Sequence, residues 1–105
     1  MFINGREINL LYTVRAYIAI NEWVANNENK SAAEARLRQA CYMHEAYIKA
    51  NHLDEKPMTI EELEDLPVYE MVDLFKEMDK AVQEGSVRTV EAQEVKKKEE
   101  EKTGK

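Results

Sequence analysis

The segment from Ser31 to Asn51 constrains the fold more than any other. It opens with Ser31-Ala32-Ala33-Glu34, a capping box in which the Ser hydroxyl takes one orphan backbone N–H and the Glu reaches back to another. Glu34/Arg38 and Glu45/Lys49 follow as i,i+4 pairs in the favourable order. With His52 they fill one narrow polar arc. The remaining circumference carries Ala33, Leu37, Ala40, Cys41, Tyr42, Met43, Ala46, Tyr47 and Ile48. A helix apolar on most sides must be covered on most sides. The rest of the chain is therefore expected to surround it.

The other segments supply short helices and one turn. Thr13 reads as the N-cap of a helix reaching about Asn26, with Val14, Tyr17, Ile18 and Val24 as its stripe. Ile20 and Trp23 fall off that stripe. Thr59-Ile60-Glu61-Glu62 is a second capping box, opening a short helix with Ile60 and Leu63 inward. Leu66-Pro67 marks a stop and restart, because Pro suits the first turn of a new helix. The last helix is predicted from Val68 to Glu84, with Val68, Met71, Val72, Phe75, Met78 and Val82 as stripe and Leu74 and Ala81 flanking it. Gly85 is placed as its C′ residue. At the start, Phe2-Ile3 and Arg6-Glu7-Ile8 flank Asn4-Gly5, a dipeptide suited to a type I′ hairpin turn. The predicted fold is mainly α: three principal helices plus a short helix, with a small N-terminal β-hairpin. Three Gly and two Pro in 105 residues agree with this rather than with a turn-rich β fold. Residues 1–85 form the expected helical domain, and residues 86–105 an expected charged tail, mobile or a solvated helix. That tail ends in a Lys/Glu run with almost nothing apolar to bury.

Charge narrows the partners. The net charge is −6 and the sequence pI is near 5.0, which disfavours a general grip on nucleic acid phosphates. The acidity is concentrated in residues 54–84, where three Lys stand against eleven Asp and Glu. A single cysteine forms no internal disulfide and suits a reducing compartment. No basic region followed by an apolar run marks a secretory leader. No run approaches the roughly 20 apolar residues of a bilayer span. The expectation is a soluble, cytoplasmic protein with no membrane contact.

Catalytic and metal-binding readings are weak. His44-Glu45 begins like the zinc-protease motif, but Ile48 stands where the second His is required. His44 and His52 are too far apart to ligate from one turn, and a half-buried, hydrogen-bonded His44 is expected. Cys41 and His44 lie one turn apart, the spacing of a Cys–His nucleophile pair. Their apolar face argues for a Cys acting as a small hydrophobe. Asp73, Glu77 and Asp79 lack the Gly-containing loop of a calcium site. No Gly-rich phosphate cradle exists. The expectation is no catalytic residue, no metal and no cofactor.

Surplus apolar surface is the more informative feature. Ile20, Trp23, Tyr42, Leu74 and Tyr12 lie off the main stripes, and a core of this size has limited capacity to hide them. Ile20, Trp23, Tyr42 and Leu74 are therefore the expected partner-binding residues, and the same surface suggests self-association.

Two stretches also resemble a known family. Ile3-Asn4-Gly5-Arg6-Glu7-Ile8-Asn9-Leu10 leads through Tyr12-Thr13-Val14-Arg15-Ala16 into an aliphatic helix. Met58-Thr59-Ile60-Glu61-Glu62-Leu63 and Leu66-Pro67 precede a helix with Val72, Phe75 and Val82. Over roughly residues 1–84 this arrangement is similar to the small tail assembly chaperones of long-tailed bacteriophages. The resemblance implies a non-enzymatic role in the cytoplasm of a bacterial host. Such a chaperone coats the tape measure protein, a very long amphipathic helix, until tail tube protein polymerises around it. The resemblance also implies that a frameshift near Lys96-Lys97-Lys98 appends a second domain, with the tail as linker. The alternative is a small helical adaptor or regulatory protein acting through protein–protein contacts.

Overall fold

The computed structural model describes residues 1–103, with side chains placed through Ser86. The element order is β1 (Phe2–Ile3), β2 (Arg6–Glu7), α1 (Val14–Asn26), α2 (Ala32–Ala50), α3 (Ile60–Glu64) and α4 (Val68–Thr103). The chain is mainly helical with an antiparallel two-strand hairpin, as its sequence predicts. Phe2 pairs with Glu7 and Ile3 with Arg6. Asn4 and Gly5 take φ of +52° and +77°, the positive values a type I′ turn requires.

Side-chain caps set the helix starts. Thr13 accepts from the Ala16 N–H at 3.4 Å, Ser31 from the Glu34 N–H at 3.1 Å, and Thr59 from the Glu62 N–H at 3.3 Å. Each satisfies one of the N–H groups that a helix start leaves without an intrahelical acceptor. The end of α2 is equally defined. The Leu53 N–H donates to the Ile48 carbonyl at 3.0 Å and the His52 N–H to the Lys49 carbonyl at 3.3 Å. This is a Schellman motif with His52 at C′, held at φ +53°.

The central position of α2 is as expected: it packs against α1, α3 and α4. Ala40, Met43, Ala46, Met58, Leu63, Leu74 and Met78 form one buried cluster with Ile3, Ile8 and Ala16. The hairpin leans on this core through Ile3 and Ile8, both nearly inaccessible. The Leu11 N–H donates to the Met43 carbonyl at 3.1 Å, tying the chain before α1 to the middle of α2.

Two sequence expectations need correction. The stripe Val14, Tyr17, Ile18 and Val24 faces away from the core, and α1 buries Ala16 and Ile20 instead. Side-chain bulk misleads here, because a small residue such as Ala16, fully buried, lets helices approach closely. The opposite, bulkier face is then left outside. In α4 the expected stripe holds for Met78, which is buried, and for Phe75 and Val82, which pack against the core, whereas Val68 and Val72 at the start of the helix are exposed and the flanking Leu74 is buried. The second correction concerns Gly85, which is not a C′ residue. α4 runs through it to Thr103. A Cβ at position 85 would overlap the Tyr12 carbonyl oxygen and stand 3.0 Å from the Tyr12 Cβ. Glycine is there so that the chain entering α1 can lie against α4. Whether residues 86–105 pack on the body, as the mobile-tail expectation bears on, lies outside the described side chains.

Candidate functional site

His44 is the buried polar residue of the core. α2 carries it to the inner side of the loop between α2 and α3, where its Nδ1 accepts from the Met58 N–H at 3.0 Å. That bond leaves the ring proton on Nε2, 3.8 Å from the Glu55 carboxylate. Burial is the main cause holding its pKa below the usual histidine value. Nearby Arg6 acts in the same direction, with Glu55 and Glu62 opposing. Arg6 also donates to the Lys56 carbonyl, so hairpin, α2 and loop are joined at this point. A neutral imidazole committed at Nδ1 to a backbone amide is a structural anchor.

Cys41 is half-buried on the next turn. Burial pushes its thiol up to about 11, with nearby Arg38 opposing and Glu62 and Glu61 adding to the rise. A thiol protonated at neutral pH is a poor nucleophile. It borders a shallow cleft of about 290 Å³ between α2 and the start of α3, lined also by Arg38, Tyr42, Pro57 and Thr59. His44 does not line that cleft. Among the described residues no group of His, Cys, Asp and Glu is placed to hold a metal ion. Of the acidic trio of α4, Asp79 pairs with Arg36 at 2.7 Å on one side, while Asp73 and Glu77 line another cleft, where Glu77 pairs with Lys80 at 3.6 Å.

The expected partner-binding residues are not on the surface as a group. Leu74 is fully buried, and Ile20 is 9% exposed. Tyr42 is partly buried against the core cluster, and Trp23 is half-buried with the Arg38 guanidinium 5.6 Å from its ring centroid. For Ile20 and Trp23 the reason is the facing of α1, which turns them towards α2 and leaves its bulky stripe outside. Leu74 flanks Met78 on the inward face of α4.

Two apolar surfaces result that sequence reasoning missed. One is the outer face of α1, with Val14, Tyr17, Ile18 and Val24. The other lies where the N-terminus meets α4. Phe2 and Tyr69 are 69% and 68% exposed there. They border a cleft of about 440 Å³ whose other walls include Met1, Glu70, Asp73 and Lys76. Val68 and Val72 are exposed on the same end of α4. The sequence signal for this second surface was the unusual density of Val68, Tyr69, Met71 and Val72 after Pro67, more apolar residues than one inward stripe needs. Local order supports the cleft: the Met1 ammonium donates to the Ile8 carbonyl at 3.1 Å and the Ile8 N–H to the Met1 carbonyl at 2.7 Å. These two bonds hold Phe2 beside α4.

No helix among the described residues is long and apolar enough to cross a membrane. No protein-family model, no curated protein and no solved structure matches this chain.

Proposed function

We propose that this protein is a non-enzymatic binding protein that holds an amphipathic helix of a partner in the cleft between its N-terminus and α4. The partner we propose is the tape measure helix of a phage or prophage tail, shielded in the bacterial cytoplasm until tube protein assembles on it. The observation that carries the reading is the exposure of Phe2 and Tyr69 together on one cleft. Aromatic side chains with apolar neighbours and a polar rim are the composition of a protein-binding surface. Glu70, Asp73 and Glu77 line the cleft beside Lys76 and Lys80, a mixed charged wall that suits a client helix whose polar side carries both signs. Helix-in-groove binding draws mainly on apolar burial, about 25 cal/mol per Å² before the costs of association.

Co-expression with a phage tape measure protein tests the reading. The expected result is a marked rise in that protein's soluble fraction, lost when Phe2→Ser and Tyr69→Ser are combined. A client left as insoluble as it is alone would overturn it.

A further inference from the structure

The outer face of α1 is a second, separate surface, and its charges say what covers it. Val14, Tyr17, Ile18 and Val24 are 46% to 73% exposed along it. Asn21 lies in the same stripe, with its side-chain amide donating to the Tyr17 carbonyl at 2.7 Å. Arg15 and Glu22 project from one flank of the stripe, about two turns apart. Both are exposed, and among the described residues neither takes part in an ion pair.

We propose that this face binds the same face of a second copy, α1 against α1, antiparallel about a two-fold axis. In an antiparallel helix pair, a given flank of one helix meets the same flank of the other. An axis passing between Ile18 and Ala19 sets position 15 opposite position 22. Arg15 of each copy then meets Glu22 of the other, twice by symmetry. Ile18 sits at the axis, and Val14 comes within a turn of Val24 from the second copy. A parallel pair offers no such match, because it brings the charged flank against the flank carrying Ile20 and Val24. A charge pair that complements itself in one orientation alone fixes register and direction.

The patch is small. A 13-residue helix is about 20 Å long. One such pair sits at the low end of stable interface sizes, so dissociation constants of roughly 10–100 μM are expected. The dimer is independent of the client cleft, which lies on α4 and the N-terminus.

Sedimentation equilibrium of the full chain from micromolar to millimolar concentration tests the dimer. A monomer–dimer equilibrium is expected, abolished by Ile18→Glu, which places two carboxylates at the axis. Circular dichroism separates this from unfolding, since Ile18 is on the surface. R15E alone and E22R alone each set like charges opposite one another. Each is expected to weaken the dimer about fivefold or more, with the combined R15E/E22R chain recovering to within about twofold. Monomer throughout would overturn the proposal, as would a double variant no tighter than the singles or higher oligomers unaffected by Ile18→Glu. Client solubilisation retained by folded Ile18→Glu would leave the cleft reading standing while the dimer reading is judged separately.

Discussion

His44 and His52 have different fates, and each gives a test. In His44 the neutral ring is the form that fits, because protonated Nδ1 would point a second donor at the Met58 N–H. Its folded-state pKa lies below the unfolded value near 6.5, with burial as the largest cause. The unfolded chain therefore binds more protons between the two values, and stability rises with pH across that window. Its contribution is complete above about pH 6.5 and is lost as pH falls towards the folded pKa. Urea unfolding at a series of pH values should show this decline, and the part due to His44 should vanish in His44→Gln. Arg6, Glu55 and Glu62 face the same group and shape the slope. His52 is a simpler case. A side chain at φ +53° carries left-handed strain that glycine lacks. His52→Gly should stabilise the chain by about 0.5–1 kcal/mol, read as a higher urea midpoint at unchanged slope.

Among the elements, α4 tests how side-chain size and helix facing combine. Gly→Ala inside a helix ordinarily stabilises by roughly 0.5–1 kcal/mol. At Gly85 the added methyl would meet the Tyr12 backbone, so Gly85→Ala should instead destabilise by about 1–3 kcal/mol. Leu74→Ala should be severe, about 2–5 kcal/mol, because its side chain is fully buried. Val68→Ala should stay within about 0.5 kcal/mol, because Val68 is 71% exposed. Thermal or urea unfolding of the three variants checks the order. The same elements show what was legible in the sequence. Thr13, Ser31 and Thr59 as caps, Asn4-Gly5 as a turn and α2 as the central helix depend on local chemistry that a sequence displays directly. The facing of α1 depends on how closely it approaches α2, where Ala16 lies in the core cluster with Ala40 and Ala46. Ranking faces by bulk therefore chose Val14, Tyr17 and Ile18 over Ala16 and Ile20. Gly85 was legible as a helix-related glycine. Its contact with Tyr12, far off in sequence, was not. The cleft between the N-terminus and α4 was illegible for a similar reason, since only the fold brings Phe2 and Tyr69 to line it together.

At the scale of the whole molecule, a few polar side chains tie the elements together, most of them at the surface. Arg6, His44 and the Met58 amide join hairpin, α2 and loop, while Arg36 lies over the Phe75 ring at 4.3 Å and pairs with Asp79 to join α2 to α4. The body presents two apolar faces on different elements, one proposed above for a client and the other for a second copy. The proposed client site is the cleft beside Phe2 and Tyr69. Methyl and aromatic NMR of the chain titrated with tape measure helix peptides tests it directly. The predicted result is saturable shifts centred on Met1, Phe2 and Tyr69, which line the cleft, with His44 and Met43 unmoved. Shifts absent from those three residues, or centred on the Cys41 cleft, would contradict it.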